Sequence, residues 1–161
     1  MSSDQQAAAT ATVTTPSDHE IRVEREFGAP RDAVFAAMTD PELIPQWWGP
    51  RGTTTVVDQM DLREGGNYRF VVQSEGREDG FRGEYREIAP PERLVLTFEW
   101  EGLPGHVCVE HHTLEDLGDS TRLVTVSVFD TTEDRDGMLN TMQPGMDETY
   151  ARLDELLARR A

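Results

Sequence analysis

Lysine is absent from this 161-residue sequence; all 15 basic residues are arginine, against 31 acidic ones, for a formal net charge of −16. Without lysine, no side-chain Schiff base can form. So acidic a balance argues against nucleic acid, whose phosphates need a basic face to displace counterions. It argues equally against an anionic membrane surface. Its plain effect is solubility through self-repulsion. A GC-rich genome and a high-salt habitat would each account for the missing lysine. Cysteine is nearly absent as well. Cys108 stands alone, so no internal disulfide forms, in keeping with a reducing cytoplasm.

Long apolar runs are also missing. Nothing approaches the ~18 residues that signal a membrane span, and the N-terminus lacks the basic and apolar regions of a secretory signal. A soluble, cytoplasmic chain is expected, long enough to bury one core. Hydrophobic residues make up only 37%, a low share that suggests part of the chain lies outside that core. Residues 1–18, MSSDQQAAATATVTTPSD, are small and polar. They are expected to form a disordered tail, leaving residues 19–161 as a single domain. No nucleophile elbow, phosphate-cradling loop or dinucleotide fingerprint is present. The expectation is therefore no catalytic residue, no metal and no cofactor.

What is there follows two periods. In HEIRVEREF, Ile21, Val23 and Phe27 alternate with charged residues, and Arg25 falls on their side. PRDAVFAAM carries Val34, Phe35 and Met38 at helical spacing after Pro30, and PELIPQWW reads as a second short helix capped by Asp40. From Thr53 to Asp130 the chain reads as six antiparallel strands. The cleanest is ERLVLTFEW, with Leu94, Leu96, Phe98 and Trp100 on one face. SEGREDG reads as a turn, and Ala89-Pro90-Pro91 ends a strand because proline cannot donate to a ladder. At the C-terminus, Met138, Met142, Met146, Tyr150, Leu153 and Leu157 form one helical stripe. Pro144 predicts a break near 143–145. A curved sheet needs cover on its concave face, and the long helix is the element available. The wedge between them, lined by methionine and aromatics, is a natural ligand site.

The stretches APRDAVFAAMTDPELIPQWWGP, MDLREGGNYRF, GEYREIAPPERLVLTFEW and GMDETYARLDELL stand in the order and spacing of a known family. Over residues 19–159 the chain resembles the bacterial homologues of the activator of the heat-shock-protein-90 ATPase, C-terminal-domain type. These belong to the START-like SRPBCC superfamily. The resemblance implies an α+β helix-grip fold like that of the birch-pollen allergen. Six to seven antiparallel strands would wrap a long C-terminal helix, with two short helices after the first strand. It also implies a cavity for a lipid, sterol, polyketide or other small apolar molecule. Cyclase or aromatase activity, and a chaperone-activating role in the stress response, are the alternatives it carries. A chaperone or other protein is then a further partner, and the chain a monomer or homodimer. The sequence departs from the family at Pro144, at Thr149 where glycine is common, and in its long N-terminal tail.

On this reading the cavity is lined by Trp47, Trp48, Tyr68, Phe70, Phe81, Tyr85, Phe98, Trp100, His112, Met138, Met142, Met146 and Tyr150. For each group a purely structural role competes. Trp47 and Trp48, in the stretch QWWGPRG, either plug the core or line the cavity mouth, an indole N–H orienting the ligand. The methionines are either core or an adaptable roof. Arg25 must pair with a carboxylate, reach the solvent rim or anchor an acidic ligand head, because an unpaired buried guanidinium is costly. His106, Cys108, Glu110 and His112 share one strand parity. Ligand groups spaced roughly 6.5–7 Å apart on a strand do not converge on one metal ion. His112 is expected to face the cavity, although Val107 and Val109 argue for the opposite phase.

Overall fold

The computed structural model describes residues 10–160. Eight antiparallel strands form one sheet in the order β1-β2-β8-β7-β6-β5-β4-β3. In chain order they are β1 (Thr12–Thr14), β2 (Glu20–Phe27), β3 (Thr54–Met60), β4 (Asn67–Ser74), β5 (Arg77–Ala89), β6 (Arg93–Trp100), β7 (Cys108–Asp116) and β8 (Thr121–Phe129). The described helices are α1 (Arg31–Thr39), α2 (Thr132–Thr141) and α3 (Gln143–Arg160). This is the expected α+β arrangement, a curved sheet gripped by a C-terminal helix. Register shifts between Val57 and Gln59 and between Tyr85 and Glu87 interrupt the ladders, and such bulges bend a sheet.

Three local expectations change. Within the stretch expected as a tail, Thr12–Thr14 pairs antiparallel with Arg22–Glu24. Ordered structure therefore begins before residue 19; residues 1–9 lie outside the described residues. With this strand the sheet has eight members rather than six or seven. The turn expected over SEGREDG narrows to Glu75 and Gly76, the latter at φ 69°, because β5 already starts at Arg77. A two-residue connection with positive φ matches the sheet's twist. Finally, the segment after α1 is a turn and a short 3-10 element, Ile44–Gln46, rather than a second α-helix. Pro41 and Pro45 lack the N–H groups a longer helix needs. Nor does Asp40 cap it as expected: the N-cap is Leu43, without a side-chain bond, and the Asp40 carboxylate accepts from the Glu42 N–H at 2.9 Å within the preceding turn.

α1 starts at Pro30, held extended as its N-cap, and buries Val34, Phe35 and Ala37. It ends where the Thr39 hydroxyl donates to the Phe35 carbonyl and Pro41 disfavours a helical Asp40. The C-terminal stripe is broken as Pro144 predicts, one residue early: Met142 separates α2 from α3. Pro144 occupies the second position of α3, where a missing N–H costs least.

The main core cluster joins α1, the 3-10 element, the sheet and the C-terminal half of α3. It includes Phe27, Val34, Phe35, Ile44, Leu94, Leu114, Leu123, Leu153, Leu156 and Leu157. A smaller cluster, Ile21, Val23, Cys108 and Phe129, lies under Met138, Met142 and Met146. Those methionines stay half-buried, and α2 buries no residue fully.

Candidate ligand cavity

Between the two clusters, the concave face of the sheet and the helices border a cavity of about 630 Å³ that opens to solvent on one side. That is ample for a small molecule. Its roof is Met138, Met142, Met146 and Tyr150; its walls are Trp47, Trp48, Tyr68, Phe70, Phe81, Tyr85, Phe98 and His112. Twelve of the thirteen side chains expected there from the sequence thus line one space. Trp100 does not. It lies at the end of β6, 36% exposed, and donates from Nε1 to Asp79 Oδ1 at 3.2 Å. Its strand parity points the right way, but the roof does not extend that far.

The two adjacent indoles have different roles. Trp47 is buried, and its Nε1 donates to the Ala37 carbonyl at 2.8 Å, anchoring the loop beneath α1. Trp48 is half-buried and packs edge-on against Phe70 and Phe81, with ring centroids 5.2 and 5.3 Å away. The loop then turns at Gly49, whose φ of 106° suits glycine, and where a Cβ would sit 3.0 Å from Thr53 Oγ1. Arg152 on α3 donates to the Gly49 and Pro50 carbonyls at 2.9 and 3.3 Å. The Arg51 guanidinium pairs with Glu155, and its backbone N–H donates to Glu148. The stretch QWWGPRG is therefore a strap tied to the gripping helix, with both indoles on the cavity wall and Trp47 also buried in the core.

Arg25 takes the first of its three expected options. It is 6% exposed, and its Nη1 and Nη2 donate to the Asp154 carboxylate at 2.9 and 2.7 Å. Its guanidinium lies 4.6 Å from the Phe27 ring centroid and 5.6 Å from that of Tyr150. It does not line the cavity. The expected polar anchor is thus corrected: Arg25 fastens β2 to α3 behind the Tyr150 ring. A planar fork facing a carboxylate is the geometry in which arginine binds most specifically.

The cavity's polar floor comes from β7 and β8. Cys108, Glu110 and His112 face inward, which settles the strand's phase against the one Val107 and Val109 suggest. His106 precedes the strand and pairs with Asp134 at 2.8 Å. Glu110 lies opposite Ser127 and His112 opposite Thr125 in the β7–β8 register. Glu110 Oε1 is 3.2 Å from His112 Nε2, and His112 Nδ1 is 2.9 Å from Thr125 Oγ1. A carboxylate only accepts, so Nε2 carries the proton there. Tyr68 donates its hydroxyl to the Thr97 carbonyl at 2.6 Å. That approach depends on Gly83, where a Cβ would meet Thr97 O and the Tyr68 ring.

Thr125 and Ser127 were not singled out from the sequence. The only signal for them was the parity of β8, masked by the β-branched run Val124, Val126 and Val128. β-branching suits either face of a strand.

Burial dominates the ionisation of the buried side chains. Burial first, then the Glu110 charge, pushes the Tyr150 hydroxyl up to about 12 and the Tyr68 hydroxyl well above its usual range. The same two causes raise the Cys108 thiol, so it stays protonated and unreactive at neutral pH. Among the described residues no group of three or more His, Cys, Asp or Glu is placed to hold a metal ion.

A family model described as "Activator of Hsp90 ATPase homolog 1-like protein" matches residues 28–158. The chain belongs to that family. Solved structures agree with the fold. A crystal structure of a protein from Rhodobacter sphaeroides is 28% identical, with a TM-score of 0.85, covering 93% of this chain and 99% of that one. A solution structure from Arthrobacter aurescens is 23% identical, with a TM-score of 0.83, covering 92% and 91%. An AHSA1 protein from Silicibacter pomeroyi is 24% identical, with a TM-score of 0.71, covering 88% and 99%. A comparison with curated protein sequences finds no match. No described helix is long and apolar enough to cross a membrane.

Proposed function

We propose that the chain binds a small apolar or amphipathic molecule between the sheet and the C-terminal helices. The supporting observation is the cavity of about 630 Å³, walled by aromatics and roofed by three half-buried methionines. Apolar surface left facing a void forgoes both dispersion contacts and full removal from water. A ligand filling that space would recover both. Methionine adapts to occupants of different shape.

Native mass spectrometry of the gently purified chain, with thermal-shift screening against lipids, sterols and aromatic polyketides, tests the reading. The expected result is an added mass or a stabilising shift with at least one class. No added mass and no shift with any class would overturn it.

The contact between Glu110 and His112 favours a second reading, an acid–base reaction of the cyclase or aromatase kind. A carboxylate that orients an imidazole is the usual arrangement for proton transfer. On that reading His112→Ala abolishes turnover of a polyketide-like substrate while leaving its binding within a few-fold. Docking on a chaperone, which the family's name suggests, draws on nothing in this chain beyond its acidic charge.

A further inference from the structure

Resting on the reading that the cavity holds a small molecule, we infer that its ligand presents a hydrogen-bond donor, a hydroxyl or ammonium group, to the Glu110 carboxylate, and that carboxylate-headed lipids are disfavoured. Aromatic and methionine walls do not tell a fatty alcohol from a fatty acid. Only the polar groups inside can, and specificity then includes the repulsion built against the wrong head.

An account of those groups singles out one carboxylate oxygen. Both ring nitrogens of His112 are engaged, by Glu110 Oε1 and Thr125 Oγ1. The Tyr68 hydroxyl is committed to the Thr97 carbonyl. Among the described residues no side chain or backbone N–H donates to Glu110 Oε2, although Glu110 lines the cavity. Hydroxyls such as Ser127 both donate and accept, so they do not choose between heads. A carboxylate accepts only, so it does choose.

No cation inside reverses that choice. Arg25 is held by Asp154 and lies outside the cavity lining. Arg77 lines the cavity with a largely exposed side chain and is paired with Asp79 at 3.0 Å. A ligand carboxylate at the floor would face Glu110 across a mostly apolar pocket whose one arginine among the described lining residues is already paired, and like charges in close approach repel. A ligand hydroxyl or ammonium would instead donate to that oxygen of Glu110.

The test is calorimetric titration of the full chain with decanol, decylamine and decanoate, each below its micelle concentration at neutral pH. These share one chain length and differ only in the head. Decanol and decylamine are expected to bind about tenfold or more tighter than decanoate, the scale of one hydrogen bond to a charged group. In Glu110→Gln, nearly isosteric and able to donate as well as accept, the gap is expected to close to about threefold. Decanoate binding the wild type as tightly as decanol would overturn the head-group inference and leave the cavity reading standing. No binding by any of the three would overturn the head-group inference, while the cavity reading falls only if the wider screen also finds no ligand. A preference for donor heads that persists unchanged in Glu110→Gln would overturn the assignment to Glu110. The wild-type comparison stands even if that variant fails to fold.

Discussion

Along one helical stripe, Leu153 and Leu157 are sealed from solvent, while Met138, Met142 and Met146 are only half-buried. The periodicity is the same at both ends; the neighbours differ. At the leucine end, α1 supplies Val34, Phe35 and Ala37 beside the sheet, so the helix meets side chains from two sides. At the methionine end no helix among the described residues takes the place of α1, and α2 contributes no fully buried residue. The lesson is that an amphipathic stripe states which face turns inward. Whether that face meets matter or a void depends on what else reaches it. Two inward charged residues follow the same division. Arg25, at the packed end, has its carboxylate in place, whereas Glu110, at the open end, lines the cavity with only its Oε1 engaged, by His112.

The comparison can be broken most forcefully at Leu153, which is 0% exposed. Leu153→Ala is expected to lower stability by about 2–5 kcal/mol in urea unfolding, against under about 1 kcal/mol for Met142→Ala. Equal losses would mean the two ends are packed alike. Next comes Asp154→Ala, which strands a buried guanidinium. A loss of about 2–3 kcal/mol is expected, below the figure for a fully buried pair because Asp154 keeps water contact. Ligand affinity should be unchanged, since Arg25 does not line the cavity. Weakened binding in that variant would give Arg25 a role the structure does not.

A filling substitution sharpens the contrast further. Met142→Phe should change stability by less than about 1 kcal/mol, because the added volume enters a void. Ligand affinity should fall about tenfold, read by calorimetry. Leu153→Phe, inserted where there is no room, is expected to cost about 1–3 kcal/mol.

The smallest effect belongs to the exposed strap. The Arg51 guanidinium beside Glu155 holds its carboxyl below the usual carboxylate range. A carboxyl lowered by folding stabilises above its unfolded pKa, and that contribution is lost as pH falls through the lowered folded value. Arg51→Ala should therefore differ slightly from wild type near neutral pH and match it in strong acid. A difference that persists in acid would mean Arg51 acts through packing rather than charge.

Much of this was legible in the sequence, because alternation and helical spacing are properties of burial itself. The alternation in ERLVLTFEW put Leu94, Leu96 and Phe98 on one face, and that face is the concave one. Parity does not state how far the cover extends, which is why Trp100 was expected inside and is exposed. β1 escaped notice for a different reason. Thr12 to Thr14 have little apolar surface, and their strand exists through pairing with Arg22 to Glu24. That is a tertiary cause with no local signature. Pro41 and Pro45 carried enough information to forbid a second α-helix, but the apolar spacing of PELIPQWW outweighed them. For Arg25, the three options followed from electrostatic cost alone. Choosing among them required Asp154, 129 residues away in the chain.

The most direct measurement is methyl NMR of the chain with its methionine and leucine methyl groups isotopically labelled, before and after saturating decanol. The methyl signals of Met138, Met142 and Met146 are expected to shift together, while those of Leu153, Leu156 and Leu157 stay in place. Shifts spread evenly over both sets, or confined to the leucines, would contradict a ligand seated beneath the methionine end.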